Sequence, residues 1–127
     1  MKVLSLSWLG MRTKNFTAMS AFFENALGLE LQSKDQKSSR FCLENKTEIH
    51  VYNNQDEFHK FFGNAPVIGF EVDSFAKARA KLLEFGVEFI YPEPQRQDGR
   101  AWQHFRAPDG NVYEIIGVDD LDTTNDV

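Results

Sequence analysis

The chain contains an internal repeat, which restricts the possible folds more than any other feature of the sequence. Matching residues keep an almost constant spacing: Gly10 and Gly69, Phe16 and Phe75, and Ala21 and Ala80 lie 59 positions apart, and Gly28 and Gly86 lie 58 apart. One deleted residue explains the shorter spacing. A repeat of this length indicates two copies of one supersecondary unit. A pocket between such copies would be built from equivalent positions in each.

Length and charge limit the class of protein. A chain of 127 residues suits one domain with a hydrophobic core and is too short for two independent ones. The net charge of −5 argues against nucleic acid as a partner, because binding to phosphate backbones depends on basic surfaces. No apolar run approaches the roughly 18–20 residues that span a bilayer, so no membrane partner is expected. The segment 1–5 is too short and too mixed for a signal peptide.

Cysteine usage indicates the compartment. Cys42 is the only cysteine, so no intrachain disulfide can form, which is typical of the reducing cytosol. We therefore predict a cytoplasmic protein, and we interpret Cys42 as a small buried strand residue.

Each copy of the repeat is predicted to form one strand, one helix and three further strands. Hydrophobic periodicity and turn residues place the first set at 4–13, 16–27, 29–32, 40–44 and 47–52, with Asn15 as the helix cap. The second set is placed at 67–72, 75–85, 87–91, 101–106 and 112–117, with Ser74 as the cap.

The domain organisation follows from these elements. We predict a single domain over 1–118, with repeat units at about 2–52 and 66–117 and a polar linker at 53–65. The linker contains a short helical candidate at 56–62, in which we interpret His59 as a surface residue. The tail at 119–127 is acidic and is predicted to be disordered.

Several motifs, in this order and spacing, resemble the vicinal oxygen chelate superfamily, which groups glyoxalases, bleomycin resistance proteins and extradiol dioxygenases. The segment 105–114 matches the closing pattern F-x-D-P-D-G-N-x-x-E of that family, except that Ala107 replaces its first Asp. The paired units and the stretch from Phe22 to Leu31 add to the resemblance, which covers residues 2–117. It implies an α+β fold in which two βαβββ repeats form a curved mixed sheet around a central pocket.

The resemblance also implies positions for metal ligands, on the first and last strand of each unit. These positions hold Trp8, His50, Val67 and Glu114, where the family usually has His, Glu, His and Glu. Neither an indole nor a valine side chain can coordinate a cation. His50 and Glu114 remain as metal ligands, and two protein ligands are fewer than the three of a typical catalytic site. A set of three protein ligands for Fe, Mn, Ni or Zn would require His104 as the third ligand.

Strand alternation predicts which side chains would line the pocket. Apolar residues mark the core face of four strands, and the opposite face carries the candidates for ligand binding: Trp8, Arg12, Tyr52 and Val67, joined by Trp102 and His104 if their face of 101–106 is inward. Trp8 would be either a stacking surface for a planar ligand or an aromatic filling an unused site. His50 and Glu114 would form either a catalytic His–carboxylate pair or a structural one.

The sequence is compatible with three functions. The first is a metal-free protein that binds or sequesters a small planar or apolar ligand, with no cofactor. The second is an enzyme (lyase, isomerase or dioxygenase), either metal-dependent through His50, Glu114 and His104, or metal-free with His50 as the base. The third is a homodimer without a pocket. Family analogy alone makes a homodimer the expected assembly in every case.

Overall fold

The computed structural model describes residues 1–121, and it confirms the α+β class: a mixed sheet with few helices. Two compact units divide the chain. The first unit is Ser7–Ile68, and the second unit combines Met1–Leu6 with the residues from Gly69 onward. The start of the first strand, Met1–Leu6, is thus grouped with the second repeat unit. The sequence repeat did not indicate this grouping.

The strands agree closely with the predicted set. They are β1 (Val3–Thr13), β2 (Glu30–Lys34), β3 (Ser38–Cys42), β4 (Glu48–Asn53), β5 (Val67–Val72), β6 (Glu88–Phe89), β7 (Gln95–Gln97), β8 (Arg100–Arg106) and β9 (Val112–Val118). The helical segments are α1 (Phe16–Ala21), a π-helical turn (Phe22–Ala26) and α2 (Phe75–Glu84).

In the first unit the strand order is β2-β3-β4-β1. Strand β1 runs parallel to β4, with Gly10 opposite His50 and Arg12 opposite Tyr52. Strands β3 and β4 are antiparallel neighbours. Alternation sends Ile49 and other apolar residues of these strands to one face, where they form a core with α1.

In the second unit the strand order is β5-β9-β8-β6, and β7 pairs with β8. Strands β8 and β9 are antiparallel, with His104 opposite Glu114. The core packs Phe75 and Ala78 of α2 against Phe105 and Ile115 of the sheet. The opposite face of these two strands therefore carries His104 and Glu114.

A repeated glycine follows the helical region of each unit, two residues after Ala26 in the first unit and two residues after Glu84 in the second. Gly28 and Gly86 have φ angles of 67° and 79°, a left-handed conformation that glycine adopts without steric cost. The helix starts differ between the copies. Ser74 caps α2 by accepting a hydrogen bond from the Lys77 amide, as predicted. Asn15 makes no such side-chain bond to α1, so its predicted capping role is wrong.

Three segments depart from the sequence-based expectation. The helical candidate at 56–62 forms turns rather than a helix. The loop after β6 contains the short strand β7, which its polar sequence did not reveal. Asp119 forms an ion pair with Arg96, and Asp120 accepts a hydrogen bond from Ser74, so the first residues of the predicted disordered tail are anchored. The remainder of that tail, 122–127, lies outside the described residues.

No helix within residues 1–121 is both long enough and apolar enough to cross a membrane.

Candidate functional site

Trp8 of β1 is the first of the four residues to which the sequence resemblance assigns metal-ligand positions. Its indole lies over Gly10, so closely that a Cβ atom at residue 10 would overlap the ring carbon Cη2. The ring meets His50 edge-on, with centroids 5.5 Å apart, and Phe62 at 6.3 Å. Trp8 is only 7% exposed. The space over Gly10 is therefore occupied by the aromatic ring of Trp8.

His50 of β4 is hydrogen-bonded by neighbours on its own strand. Its Nδ1 lies 2.8 Å from the Tyr52 hydroxyl, and its Nε2 lies 3.2 Å from Glu48 Oε1. The three residues share one face because side chains of a strand alternate with a period of two. When neutral His50 donates its Nε2 proton to Glu48, Nδ1 is left to accept the tyrosine O–H.

Tyr52 also stacks on His59, with ring centroids 3.7 Å apart and planes 16° from parallel. The Nδ1 atom of His59 lies 3.0 Å from Asp56 Oδ2. Burial lowers the pKa of the His59 imidazole below its ordinary value, and the charges of His50 and Arg12 act in the same direction against the opposing effect of Asp56. The interpretation of His59 as a surface residue is therefore wrong, because aromatic rings of the same segment cover it.

Arg12, a predicted ligand-binding residue, is fixed by the chain segment that follows β4. Its Nε donates to the Asp56 carbonyl at 3.0 Å, and its Nη2 donates to the Asn54 carbonyl at 2.5 Å. The guanidinium is half-buried. Because two backbone carbonyls hold it, its plane is set before any ligand arrives.

In the second unit, His104 and Glu114 face each other across β8 and β9. His104 Nε2 lies 3.1 Å from Glu114 Oε2, and the side chains are only 4% and 3% exposed. Strand alternation alone did not determine which face of 101–106 points to the same side as Glu114. The structure places His104 on the same side of the sheet as Glu114, opposite the core residue Phe105. Within its own unit, Glu114 contacts the imidazole of His104, and His50 contacts the carboxylate of Glu48.

The two remaining predicted ligand-binding residues, Val67 and Trp102, lie on β5 and β8. Val67 begins β5 and is 2% exposed. Trp102 is half-buried on β8 and lies opposite Ile116 of β9.

The donor set can be compared with what a divalent metal needs. Within residues 1–121, no group of three or more His, Cys, Asp or Glu side chains is arranged to hold a metal ion. His104 and Glu114 are close enough to share one, but two protein donors fall short of the three that open catalytic sites normally keep. The residues described do not fit a complete metal site.

Sequence reasoning missed four residues of the first unit: Glu48, Asp56, His59 and Phe62. Glu48 lies two residues before His50 on β4, and strand alternation could have selected it by that spacing. The other three lie in the segment treated as a linker. This segment is rich in aromatic residues, with Phe58, Phe61 and Phe62 close to His59. That composition was the available sign that the segment packs against the protein and is more than a linker.

Comparison with known proteins agrees with the fold. A family model described as the Glyoxalase/Bleomycin resistance protein/Dioxygenase superfamily matches residues 5–115. No curated protein matches the sequence.

Solved structures share this architecture at low sequence identity. Methylmalonyl-CoA epimerase from Mycobacterium tuberculosis is 14% identical, with a TM-score of 0.69 over 91% of this chain and 89% of its own. The Mn(II)-bound glyoxalase from Novosphingobium aromaticivorans is 21% identical, with a TM-score of 0.70 over 95% of this chain, which spans 43% of that protein. The family match covers most of the sequence, and the chain belongs to the glyoxalase/bleomycin resistance protein/dioxygenase superfamily.

Proposed function

We propose that this protein binds a small planar or apolar molecule without a metal ion, as a binding or sequestering protein of the cytoplasm. The observation that carries the proposal is the position of Trp8. Its indole covers Gly10 at the place where a family member would present a metal-ligating side chain. An indole offers a donor N–H and an apolar ring, and no lone pair for a cation.

Polar groups beside Trp8 support a binding role. His50 and Tyr52 are half-buried and lie in one hydrogen-bonded row next to aromatic rings. A few polar groups set among aromatic side chains are typical of small-molecule sites. The burial of Trp8 supports the interpretation that it fills an unused metal position. We therefore propose that His50 and Tyr52 contact the ligand. We propose a homodimer as the assembly, by analogy with the family.

Tryptophan fluorescence tests this proposal directly. In a Trp102→Phe background, Trp8 is the remaining tryptophan, so all of the tryptophan emission comes from Trp8. A screen of planar aromatic and aliphatic compounds is expected to give at least one saturable change in emission. That change should weaken at least fivefold in a Tyr52→Ala variant and stay unchanged in a Tyr113→Ala control, whose ring packs in the second unit's core. A screen without any saturable response, or equal loss in both variants, would overturn the proposal.

The alternative function, a metal-dependent enzyme, draws on one specific observation. His104 and Glu114 form a buried pair at 3.1 Å, and the matched glyoxalase structure is Mn(II)-bound. Stoichiometric metal in the purified protein, lost in a Glu114→Gln variant, would favour this alternative over the metal-free one.

A further inference from the structure

A cleft at the carboxyl end of β1 lies outside the row of residues around His50. It has a volume of about 570 Å³ and is formed entirely within the first unit, between the β1–α1 connection and the segment 54–66. This volume falls within the roughly 300–1,000 Å³ that is usual for small-molecule sites. We call it the Arg12 cleft, after the guanidinium that lines it.

The charge of the Arg12 cleft is opposite to that of the whole chain. Arg12 and Lys14 are its charged lining residues, although the net charge of the protein is −5. The nearby carboxylate of Asp56 accepts hydrogen bonds from the side chain and the amide of His59. Only its backbone carbonyl contacts Arg12. The two lining cations are thus basic groups in an acidic protein, and the Asp56 carboxylate is directed to His59 and not to Arg12.

Arg12 itself lacks a counter-ion among the residues that the structure describes, where the ion pairs involve other side chains. A guanidinium is well suited to a carboxylate or phosphate partner, because its planar fork matches their geometry. The bonds to the Asn54 and Asp56 carbonyls use two of the five N–H donors of a guanidinium. The remaining donors are held in a fixed orientation, which lowers the entropy lost when an anion binds.

The rest of the lining indicates what else the ligand must contain. Met11, Met19 and Phe62 provide an apolar wall, and both methionines also pack against the core of the unit. Asn15 and Asn64 add amide groups at exposed positions. Apolar surface beside two cations suits a molecule with an acidic head and a hydrophobic body.

We propose that the Arg12 cleft binds a small organic anion, with its carboxylate or phosphate on Arg12 and Lys14 and its apolar body against Met11, Met19 and Phe62. This proposal does not depend on the one above, because it concerns a different surface and its assay does not use Trp8. Isothermal titration calorimetry can measure it with three probes of similar body: benzoate, phenyl phosphate and the neutral benzyl alcohol.

Benzoate, phenyl phosphate or both are expected to bind, more weakly as NaCl increases, while benzyl alcohol binds at least tenfold more weakly. Binding of only one anion identifies the head group. Arg12→Gln should weaken the anion by at least about tenfold, since it removes charge-assisted hydrogen bonds. Lys14→Gln, at an exposed position, should weaken it by about two- to fivefold. The matched control is Arg106→Gln, because Arg106 is exposed and also bonds a backbone carbonyl, and it should leave the affinity unchanged.

Three results would overturn the proposal: no binding of either anion at millimolar concentration, equal binding of benzyl alcohol, or equal weakening by Arg106→Gln. If Arg12→Gln does not fold, Lys14→Gln and the salt dependence still decide, since a non-ionic site would be insensitive to both.

Discussion

The two repeat units carry their histidine–carboxylate pairs in different environments. In the first unit, His50 and Glu48 belong to one strand, and their side chains are 21% and 42% exposed. In the second unit, His104 and Glu114 come from neighbouring strands and are almost fully buried. An exposed pair contributes little to stability because water solvates both partners. A buried pair must keep both partners, because removal of one leaves the other desolvated.

The difference suggests distinct roles for equivalent parts of the repeat. The side chain of His50 keeps some exposure beside Tyr52 and Trp8, whereas the side chains of His104 and Glu114 have almost none. We propose that the first unit provides the groups that contact a ligand and that the polar pair of the second unit has a structural role.

The largest expected effect tests the buried pair. Glu114→Ala should lower the free energy of unfolding by about 3 kcal/mol, because His104 loses this carboxylate within a buried environment. Urea denaturation measures the change. A loss below about 1 kcal/mol would show that the two pairs are equivalent and would remove the basis of the comparison.

The next effect tests the packing of Trp8 in the first unit. Gly10→Ala should cost about 2 kcal/mol, since the new methyl group overlaps the indole ring and forces it to move. Gly63→Ala is the matched control, because its methyl group would meet no atom within 4 Å. Urea denaturation should separate the two variants, and only Gly10→Ala should shift the emission of Trp8. Equal stability of the two variants would contradict the close contact.

A pH effect is expected from the first unit. Burial lowers the pKa of His59, so the folded state binds its proton less readily than the unfolded chain. Below a pH of about 6.5 the unfolded state gains protons first, and stability should fall with acidification by at most about 1.4 kcal/mol per pH unit. Urea denaturation between pH 5 and 8 measures the slope. His59→Gln should flatten it, and an unchanged slope would assign the effect to another group.

The smallest effect tests the exposed pair. Glu48→Ala should lower the free energy of unfolding by less than about 1 kcal/mol, with urea denaturation as the measurement and Glu114→Ala as its counterpart. A larger loss would show that Glu48 organises His50 and Tyr52 rather than merely contacting them.

The sequence predicted the fold well because its signals are local. Strand β5 was predicted with its observed bounds, and both repeated glycines end helical segments as expected. The errors in the predicted elements occur where tertiary contacts determine the local structure. Gln95–Gln97 has no apolar pattern and becomes a strand only by pairing with β8.

The site was predicted less completely because its partners lie far apart along the chain or in a segment without regular structure. Alternation placed His50 and Tyr52 on one face, but it could not orient β8, so the contact between His104 and Glu114 depended on strand register. His59 was missed because a turn has no periodicity to indicate burial. The assignment of His50 and Glu114 as catalytic residues stays a prediction.

Native mass spectrometry tests the central claim, that Trp8 marks a position which no longer serves a metal. The purified protein would be incubated in turn with Fe(II), Mn(II), Ni(II) and Zn(II) and then desalted. We predict the mass of the metal-free chain in every case, both for the natural sequence and for Glu114→Gln. One tightly held metal per chain, lost in Glu114→Gln, would contradict the account.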